Sequence, residues 1–171
     1  MSSHHHGRDA SAAVGCAIVT VSDTRTATDD RSGNAIRAAL VAAGHQVHAA
    51  TIVPDDAPAI RAAVATAAAD PTVAVVLVTG GTGIAPRDVT IESLRDLWTK
   101  ELPGFGEIFR ALSFAEIGPA AFLSRATAGV IDDTFVAVLP GSPAACTLAL
   151  TKLILPELGH VVGLLGRSGT P

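Results

Sequence analysis

The apolar, β-branched run Val73–Val78 passes directly into Thr79-Gly80-Gly81-Thr82-Gly83, and this junction constrains the fold more than any other segment. A short run that is apolar at every position is the pattern of a strand buried on both faces of a parallel sheet. Glycines at its end permit turns closed to other residues and let a ligand approach the main chain. In open α/β sheets, ligands bind just beyond the carboxyl ends of the strands, where this loop falls. Asp88 follows five residues after Gly83. An acid beside an anion cradle repels phosphate unless a divalent cation stands between them, so the segment points to nucleotide chemistry. The loop is neither of two common phosphate motifs. Ile84 and Ala85 follow Gly83 where a P-loop has Lys and Ser/Thr, and Pro86 stands where the dinucleotide fingerprint needs its third glycine. By itself the loop is also compatible with a tight strand-to-helix turn that holds no ligand.

The preceding segments set this strand in an alternating pattern. Cys16–Val21 is expected as a strand leading into Ser22-Asp23-Thr24, and Arg25–Arg31 as a loop. A helix is expected over Asn34–Ala43, capped by Ser32 or Asp30 and stopped by Gly44. Val47–Val53 reads as a second strand ending in Pro54-Asp55-Asp56, and Pro58 suits the first turn of a helix reaching Ala69. Strand, helix, strand, helix, strand is the signature of an α/β domain with a mainly parallel sheet. Further on, Thr90–Trp98 and Phe105–Glu116 read as helices, Ala126–Ile131 and Thr134–Leu139 as a hairpin about Asp132-Asp133. Pro140-Gly141-Ser142-Pro143 opens a last long helix interrupted near Pro156. One domain is expected over residues 14–166, after a polar, disordered arm over residues 1–13 that contains His4, His5 and His6.

Bulk properties narrow the partners. A net charge of −4 with no tyrosine leaves neither a basic field nor a stacking surface for nucleic acid. Alanine and valine dominate the apolar content, which suits close helix-on-sheet packing and a large subunit interface. No apolar run reaches the roughly 18 to 20 residues of a membrane span, and no signal peptide opens the chain, so a cytoplasmic protein without a membrane partner is expected. Cys16 and Cys146, both among apolar neighbours, read as buried free thiols. His45, after a helix-ending glycine, reads as a surface residue.

Ser22-Asp23, Pro54-Asp55-Asp56 and the loop leading to Asp88 all follow predicted strands, and Pro140–Pro143 has the same strand-to-helix character. In a parallel sheet the first three would share one edge, bringing acids and anion-friendly helix starts together. Each also has a plainer role. Asp23 can bond to nearby backbone, Asp55, Asp56 and Asp88 can cap helices, and Ser142 can be an N-cap before Pro143. Glu107 follows Pro103-Gly104-Phe105-Gly106, which reads as a turn too glycine-rich for ordinary helix, and is kept as a binding candidate. Ser124-Arg125 offers a hydroxyl and a planar cation suited to phosphate or carboxylate, or to a surface ion pair.

Seven motifs, in order, carry a resemblance: Val21–Thr24, Asp30–Gly33, Val53–Asp55, Thr79–Gly83 with Pro86–Thr90, Pro103–Glu107, Leu123–Arg125 and Leu139–Pro143. Through them the chain resembles the molybdenum-cofactor biosynthesis family typified by the bacterial Mog and MoaB proteins and the G domain of gephyrin-like proteins. Leu112–Gly118 resembles the MoaB branch, some members of which lack one or both of the family's acids. The resemblance implies a three-layer α/β/α fold with a mainly parallel sheet, assembled as a homotrimer or hexamer. It implies Mg-ATP-dependent adenylylation of molybdopterin to adenylyl-molybdopterin, with release of pyrophosphate. The family's two catalytic acids match Asp55 and Asp88, which would also hold Mg²⁺. Its nucleotide site matches Gly80, Gly81, Thr82 and Gly83, with Ser22 and Asp23 alongside. Its molybdopterin site matches Pro140, Gly141, Ser142 and Pro143, with Ser113, Ser124, Arg125 and Glu107 as helpers. Two rivals share the fold: a molybdopterin-binding or assembly protein without turnover, and a protein acting on another nucleotide-like substrate, as in the related CinA proteins.

Overall fold

The computed structural model describes residues 13–167. Six strands form one sheet in the order β2-β1-β3-β6-β5-β4, where β1 is Gly15–Val21, β2 Gln46–Val53, β3 Val75–Thr79, β4 Lys100–Glu101, β5 Thr127–Ile131 and β6 Thr134–Leu139. β2, β1, β3 and β6 run parallel, and β5 and β4 complete the sheet antiparallel. The chain steps from β1 outward to β2 and then back across to β3. That reversal between β1 and β3 is the switch point at which α/β sheets open a crevice.

Period-two alternation divides the strands between two cores. Cys16, Ile18, Val75, Leu77, Phe135, Ala137 and Leu139 face one side, with Ile36 and Leu40 of α1 (Arg31–Ala42) and Phe109 of α4 (Pro103–Ile117). Ala17, Val19, Val21, Val76, Val78, Val136 and Val138 face the other, with Ile60 and Val64 of α2 (Ala57–Ala69) and Leu94 of α3 (Thr90–Leu94). The result is the expected three-layer α/β/α arrangement.

Several local expectations are corrected. α1 begins three residues before Asn34, because Asp30 rather than Ser32 is its cap: Gly33 N–H donates to Asp30 Oδ1 at 2.9 Å. α4 begins at Pro103, so Pro103–Gly106 is its first turn and not a separate loop. Pro103 is preorganised for that turn, and Gly106 is needed there because a Cβ would lie 2.6 Å from Ala126 O. The segment after α3 tightens into a 3₁₀ turn at Arg95–Leu97, and the two-residue strand β4 was not anticipated. His45 is buried at 9% exposure, its Nδ1 accepting from Val14 N–H. The predicted arm lies, apart from Ala13, outside the described residues.

The last helix is interrupted near Pro156, as expected, but by a π turn and not by a break. It runs as α5 (Pro143–Ala149), a π turn over Leu150–Ile154, and α6 (Leu155–Leu164). Pro156 has no N–H for the carbonyl one turn back, and the wider π turn before it absorbs that loss. These 22 residues are long and apolar enough to cross a membrane, contrary to the expectation that no such segment exists. Polar Thr147, Thr151, Lys152, Glu157 and His160 interrupt the run, while Cys146, Ala149, Leu150, Ile154, Leu158 and Val162 complete the core against the sheet.

Candidate functional site

The carboxyl ends of β1, β2, β3 and β6 deliver four turns to one edge, and hydrogen bonds tie them pairwise. After β1, Ser22 N–H donates to Val53 O at 2.8 Å, and Asp23 Oδ1 accepts from Asp55 N–H at 3.0 Å. After β3, Gly80 N–H donates to Leu139 O at 3.1 Å and Thr79 Oγ1 to Pro140 O at 2.8 Å. Gly80 and Gly81 take φ values of +105° and +62°, open chiefly to glycine. Space forbids a side chain as well: a Cβ on Gly80 would lie 2.3 Å from Val21 O, and one on Gly81 2.2 Å from Thr90 Oγ1.

The carbonyls of the glycine loop are turned into the protein. Gly80 O accepts from Thr90 Oγ1 at 2.9 Å, and Gly81 O from Thr90 N–H at 3.2 Å. Thr82 O accepts from Arg125 N–H at 3.3 Å, and Gly83 O from Arg125 Nε at 2.9 Å. Among the described residues the N–H groups of Gly81, Thr82 and Gly83 have no acceptor. Consecutive N–H groups freed in this way form a concavity for an anion.

Two carboxylates flank the loop. Asp56, not Asp55, caps α2 by accepting from Ala59 N–H at 3.1 Å. Asp55 is left with its Oδ1 3.3 Å from where a Cβ of Gly81 would stand. Burial, and next the Asp23 carboxylate, hold the Asp55 carboxyl above its ordinary range, with Arg87 opposing and Asp88 adding to the rise. Asp88 does not cap α3, whose first turn follows Val89 without a side-chain cap. Its Oδ2 instead accepts from Ala85 N–H at 2.8 Å and would lie 2.7 Å from a Cβ on Gly83.

The second turn meets the first. A Cβ on Gly141 would touch Gly80 Cα at 3.5 Å. Gly141 O accepts from Ser32 Oγ at 2.8 Å, while Pro140 O accepts from Cys146 Sγ at 3.2 Å in addition to Thr79. Ser142 caps α5 by accepting from Ala145 N–H at 3.3 Å, and Pro143 takes the first helical position. Beneath them Asp30 is buried, its Oδ2 accepting from Thr20 Oγ1 at 2.6 Å. Both cysteines are free and buried, and burial pushes the Cys16 thiol up to about 12.

The expected helper residues divide. Arg125 is a clamp on the glycine loop: besides Gly83 it bonds Asp88 O at 2.8 Å and pairs with Glu92. Ser124 Oγ accepts from Ala126 N–H at 3.3 Å in a local turn. Ser113 is buried on α4 and Glu107 exposed on it. Thr90, Thr79 and Ser32 lie within the seven motifs but were not expected as site residues; Thr79 and Ser32 act through Pro140 O and Gly141 O, which are distant in sequence, and Thr90 through Gly80 O. An apolar cavity of about 350 Å³ between the start of α4 and α6 shares no residue with this polar edge. Among the described residues no three His, Cys, Asp or Glu side chains gather as a metal site.

Comparison with known proteins gives this edge a context. The family model described as "Probable molybdopterin binding domain" matches residues 17–160. Molybdenum cofactor biosynthesis protein B of Bacillus subtilis is 52% identical over 163 residues, covering 95% of this chain and 96% of that protein. A crystal structure of molybdenum cofactor biosynthesis protein B superposes with a TM-score of 0.90 at 49% identity, over 93% of this chain and 99% of that one. The molybdopterin biosynthesis enzyme MoaB of Thermus thermophilus gives 0.80 at 35% identity, over 91% and 98%.

Proposed function

The chain belongs to the MoaB/Mog family of molybdenum-cofactor biosynthesis proteins, and on that premise we propose that it adenylylates molybdopterin with Mg-ATP. In this reaction the terminal phosphate oxygen of molybdopterin attacks the α-phosphorus of ATP. A P–O bond forms, the bond to the bridging oxygen of the β-phosphate breaks, and pyrophosphate leaves in line. Both reactants are polyanions, so the site must position them and offset charge; no covalent intermediate is required.

The observation that carries the reading is the pair of abutting turns with carbonyls turned inward. The free N–H groups of Gly81, Thr82 and Gly83 suit the nucleotide phosphates, with Ser22 and Asp23 beside them. The turn Pro140–Pro143 suits the molybdopterin phosphate, with Ser113, Ser124 and Glu107 as outlying helpers. Arg125 serves by holding the glycine loop rather than by reaching a ligand. Asp55 and Asp88 flank the nucleotide half, and burial with neighbouring acids raises Asp55 in the way a bound cation would relieve. Two carboxylates without a third ligand suit Mg²⁺, which takes oxygen donors and keeps waters. When bound, the ion would offset charge on the transferring phosphate. Asp55 and Asp88 would hold it, and Asp23 would hold Asp55 through its backbone N–H.

The exposed apolar side chains Ile108, Phe114, Ile117, Phe122 and Leu123 on α4 and the turn after it support a homo-oligomer, built on a trimer or hexamer. Two free buried thiols are consistent with work in the reducing cytoplasm. The test is incubation of the purified protein with molybdopterin and Mg-ATP, with products identified by mass spectrometry. Adenylyl-molybdopterin and pyrophosphate are expected. Tight molybdopterin binding without either product would identify a carrier or assembly protein instead.

A further inference from the structure

The geometry points to Arg110 of α4 as a positioning residue for the glycine loop: it fixes the backbone on either side of Arg125, and Arg125 fixes the loop. The assignment rests on the two-turn reading above, in which the free N–H groups of the loop take the nucleotide phosphates. Arg110 lies outside the seven motifs and makes no hydrogen bond to the loop itself among the described residues.

Every polar group of Arg125 that faces the loop is in use. Its backbone N–H donates to Thr82 O at 3.3 Å, Nε to Gly83 O at 2.9 Å and Nη2 to Asp88 O at 2.8 Å, while Nη1 pairs with Glu92. In a trans peptide the N–H points away from its own C=O. Holding Thr82 O and Gly83 O inward therefore turns the N–H groups of Gly83 and Ile84 outward, and neither has an acceptor among the described residues. Arg125 can set these peptides only if its own backbone is held. That backbone lies outside the regular elements, between the 3₁₀ turn Gly118–Leu123 and Thr127, the first residue of β5.

Arg110 supplies the anchor. Its Nη1 carries two hydrogens and donates to Ser124 O at 3.4 Å and to Ala126 O at 3.2 Å, the carbonyls of the two residues that flank Arg125. Arg110 is half-buried, where a charged donor holds a carbonyl more firmly than a neutral one does. The helix makes room for this contact. Gly106 stands one turn before Arg110 on the same face, and a Cβ there would lie 2.6 Å from Ala126 O and 2.9 Å from both Nη atoms of Arg110. A glycine inside a helix is destabilising in itself, and here it opens the space in which the guanidinium meets the chain. Two arginines in series thus tie α4 to the loop, the first through residues 124–126 and the second through the carbonyls of Thr82, Gly83 and Asp88.

The experiment compares the full chain in wild type, Arg110→Met, Arg110→Lys, Arg125→Met and the double variant Arg110→Met/Arg125→Met. Backbone amide ¹H–¹⁵N resonances are read without ligand, and binding of Mg-ATP and of molybdopterin is measured by calorimetry. In Arg110→Met the Gly83 and Ile84 amides should shift, those of Gly81 and Thr82 less because Thr90 holds the carbonyls before them, and those of Gly141 and Ser142 not at all. Mg-ATP affinity should fall at least fivefold and molybdopterin affinity change by twofold at most, with Arg110→Lys recovering part of the loss. Because Arg110 acts through Arg125, the double variant should bind Mg-ATP no more weakly than Arg125→Met alone. Gly83 and Ile84 amides that do not move, or losses that add in the double variant, overturn the assignment. So does an equal loss of both affinities, which is the mark of a merely structural residue. Should Arg110→Met not fold, Arg110→Lys is decisive: smaller shifts of the same two amides uphold the assignment and their absence overturns it. If those amides move as expected but wild type does not bind Mg-ATP, the positioning of the loop stands and the adenylylation reading falls.

Discussion

The carboxylate of Asp23 accepts the backbone N–H of Asp55 at 3.0 Å, joining the turn after β1 to the turn after β2. The bond fixes where Asp55 stands, and the same carboxylate helps raise the Asp55 carboxyl, second only to burial. Asp23→Asn keeps an oxygen to accept the bond and removes the charge. The Asp55 carboxyl should then titrate lower than in wild type, as read by carboxyl ¹³C shifts against pH. An unmoved or higher value would show that the two acids do not interact.

Gly80→Ala should be among the most damaging substitutions at this edge. It combines a φ of +105° with a Cβ 2.3 Å from Val21 O, so backbone must move. A loss of about 2 to 4 kcal/mol is expected in urea unfolding. Gly104→Ala is the control: nothing lies within 4 Å of its Cβ and its φ is ordinary, so it should be neutral or slightly stabilising. Similar effects for the two would remove steric necessity as the reason for the glycine loop.

The contrast between these glycines also shows what was legible in the chain. β1 and β3 could be read because parallel strands buried between helices are nearly continuously apolar, whereas the exposed edge strand β2 was legible from its β-branched end and the Pro54-Asp55-Asp56 turn that follows. α4 was misjudged at its start because Gly104 and Gly106 read locally as a turn, while the close approach of Ala126 O that selects Gly106 is a tertiary fact. β4 has only Lys100 and Glu101 and therefore no period to detect. Arg125 carried the right chemistry for an anion, yet its acceptors are Gly83 O and Asp88 O, some forty residues away in sequence. Local pattern located the acids and the loop; only the fold showed that Arg125 is committed to the carbonyls of the loop.

His45 should make stability sensitive to mild acid. Burial lowers its pKa below the ordinary 6.5, and its Nδ1 must stay unprotonated to accept from Val14 N–H. The unfolded chain takes up a proton near the ordinary value while the native chain does not, so this contribution is present above that pH and lost as pH falls below it. Between pH 7 and pH 5 the melting temperature of wild type should fall more steeply than that of His45→Gln. Parallel curves would mean that His45 titrates alike in both states.

The apolar face of α4 should be covered by another copy of the chain. Phe114 and Ile117 are 60% and 62% exposed, with Phe122 beside them in sequence at 75%. Light scattering of wild type at micromolar concentration should give an oligomer with a mass that is a multiple of three chains. Phe114→Glu should lower that mass while leaving the circular dichroism of the fold intact. A wild type that is monomeric at that concentration would rule the interface out.

Asp55 and Asp88 give the most direct test of chemistry at this edge. Asp88→Asn retains an oxygen for the Ala85 N–H and so changes charge with little change in shape. If the two acids hold Mg²⁺ at the reacting phosphates, turnover should fall by roughly two or more orders of magnitude, about 3 kcal/mol in the barrier. Molybdopterin binding should survive, since the turn proposed for it is Pro140–Pro143. Asp55→Asn should behave similarly, and the double variant should lose less than the sum because both residues serve one ion. Raising the magnesium concentration should recover part of the activity of either single variant. Asp56→Ala is the contrasting case: it removes the α2 cap at Ala59 N–H and should cost about 1 kcal/mol of stability with turnover of the folded protein near normal. An Asp88→Asn protein with full turnover at ordinary magnesium would falsify the metal role, and one that lost only stability would make Asp88 a loop residue whose work ends at Ala85.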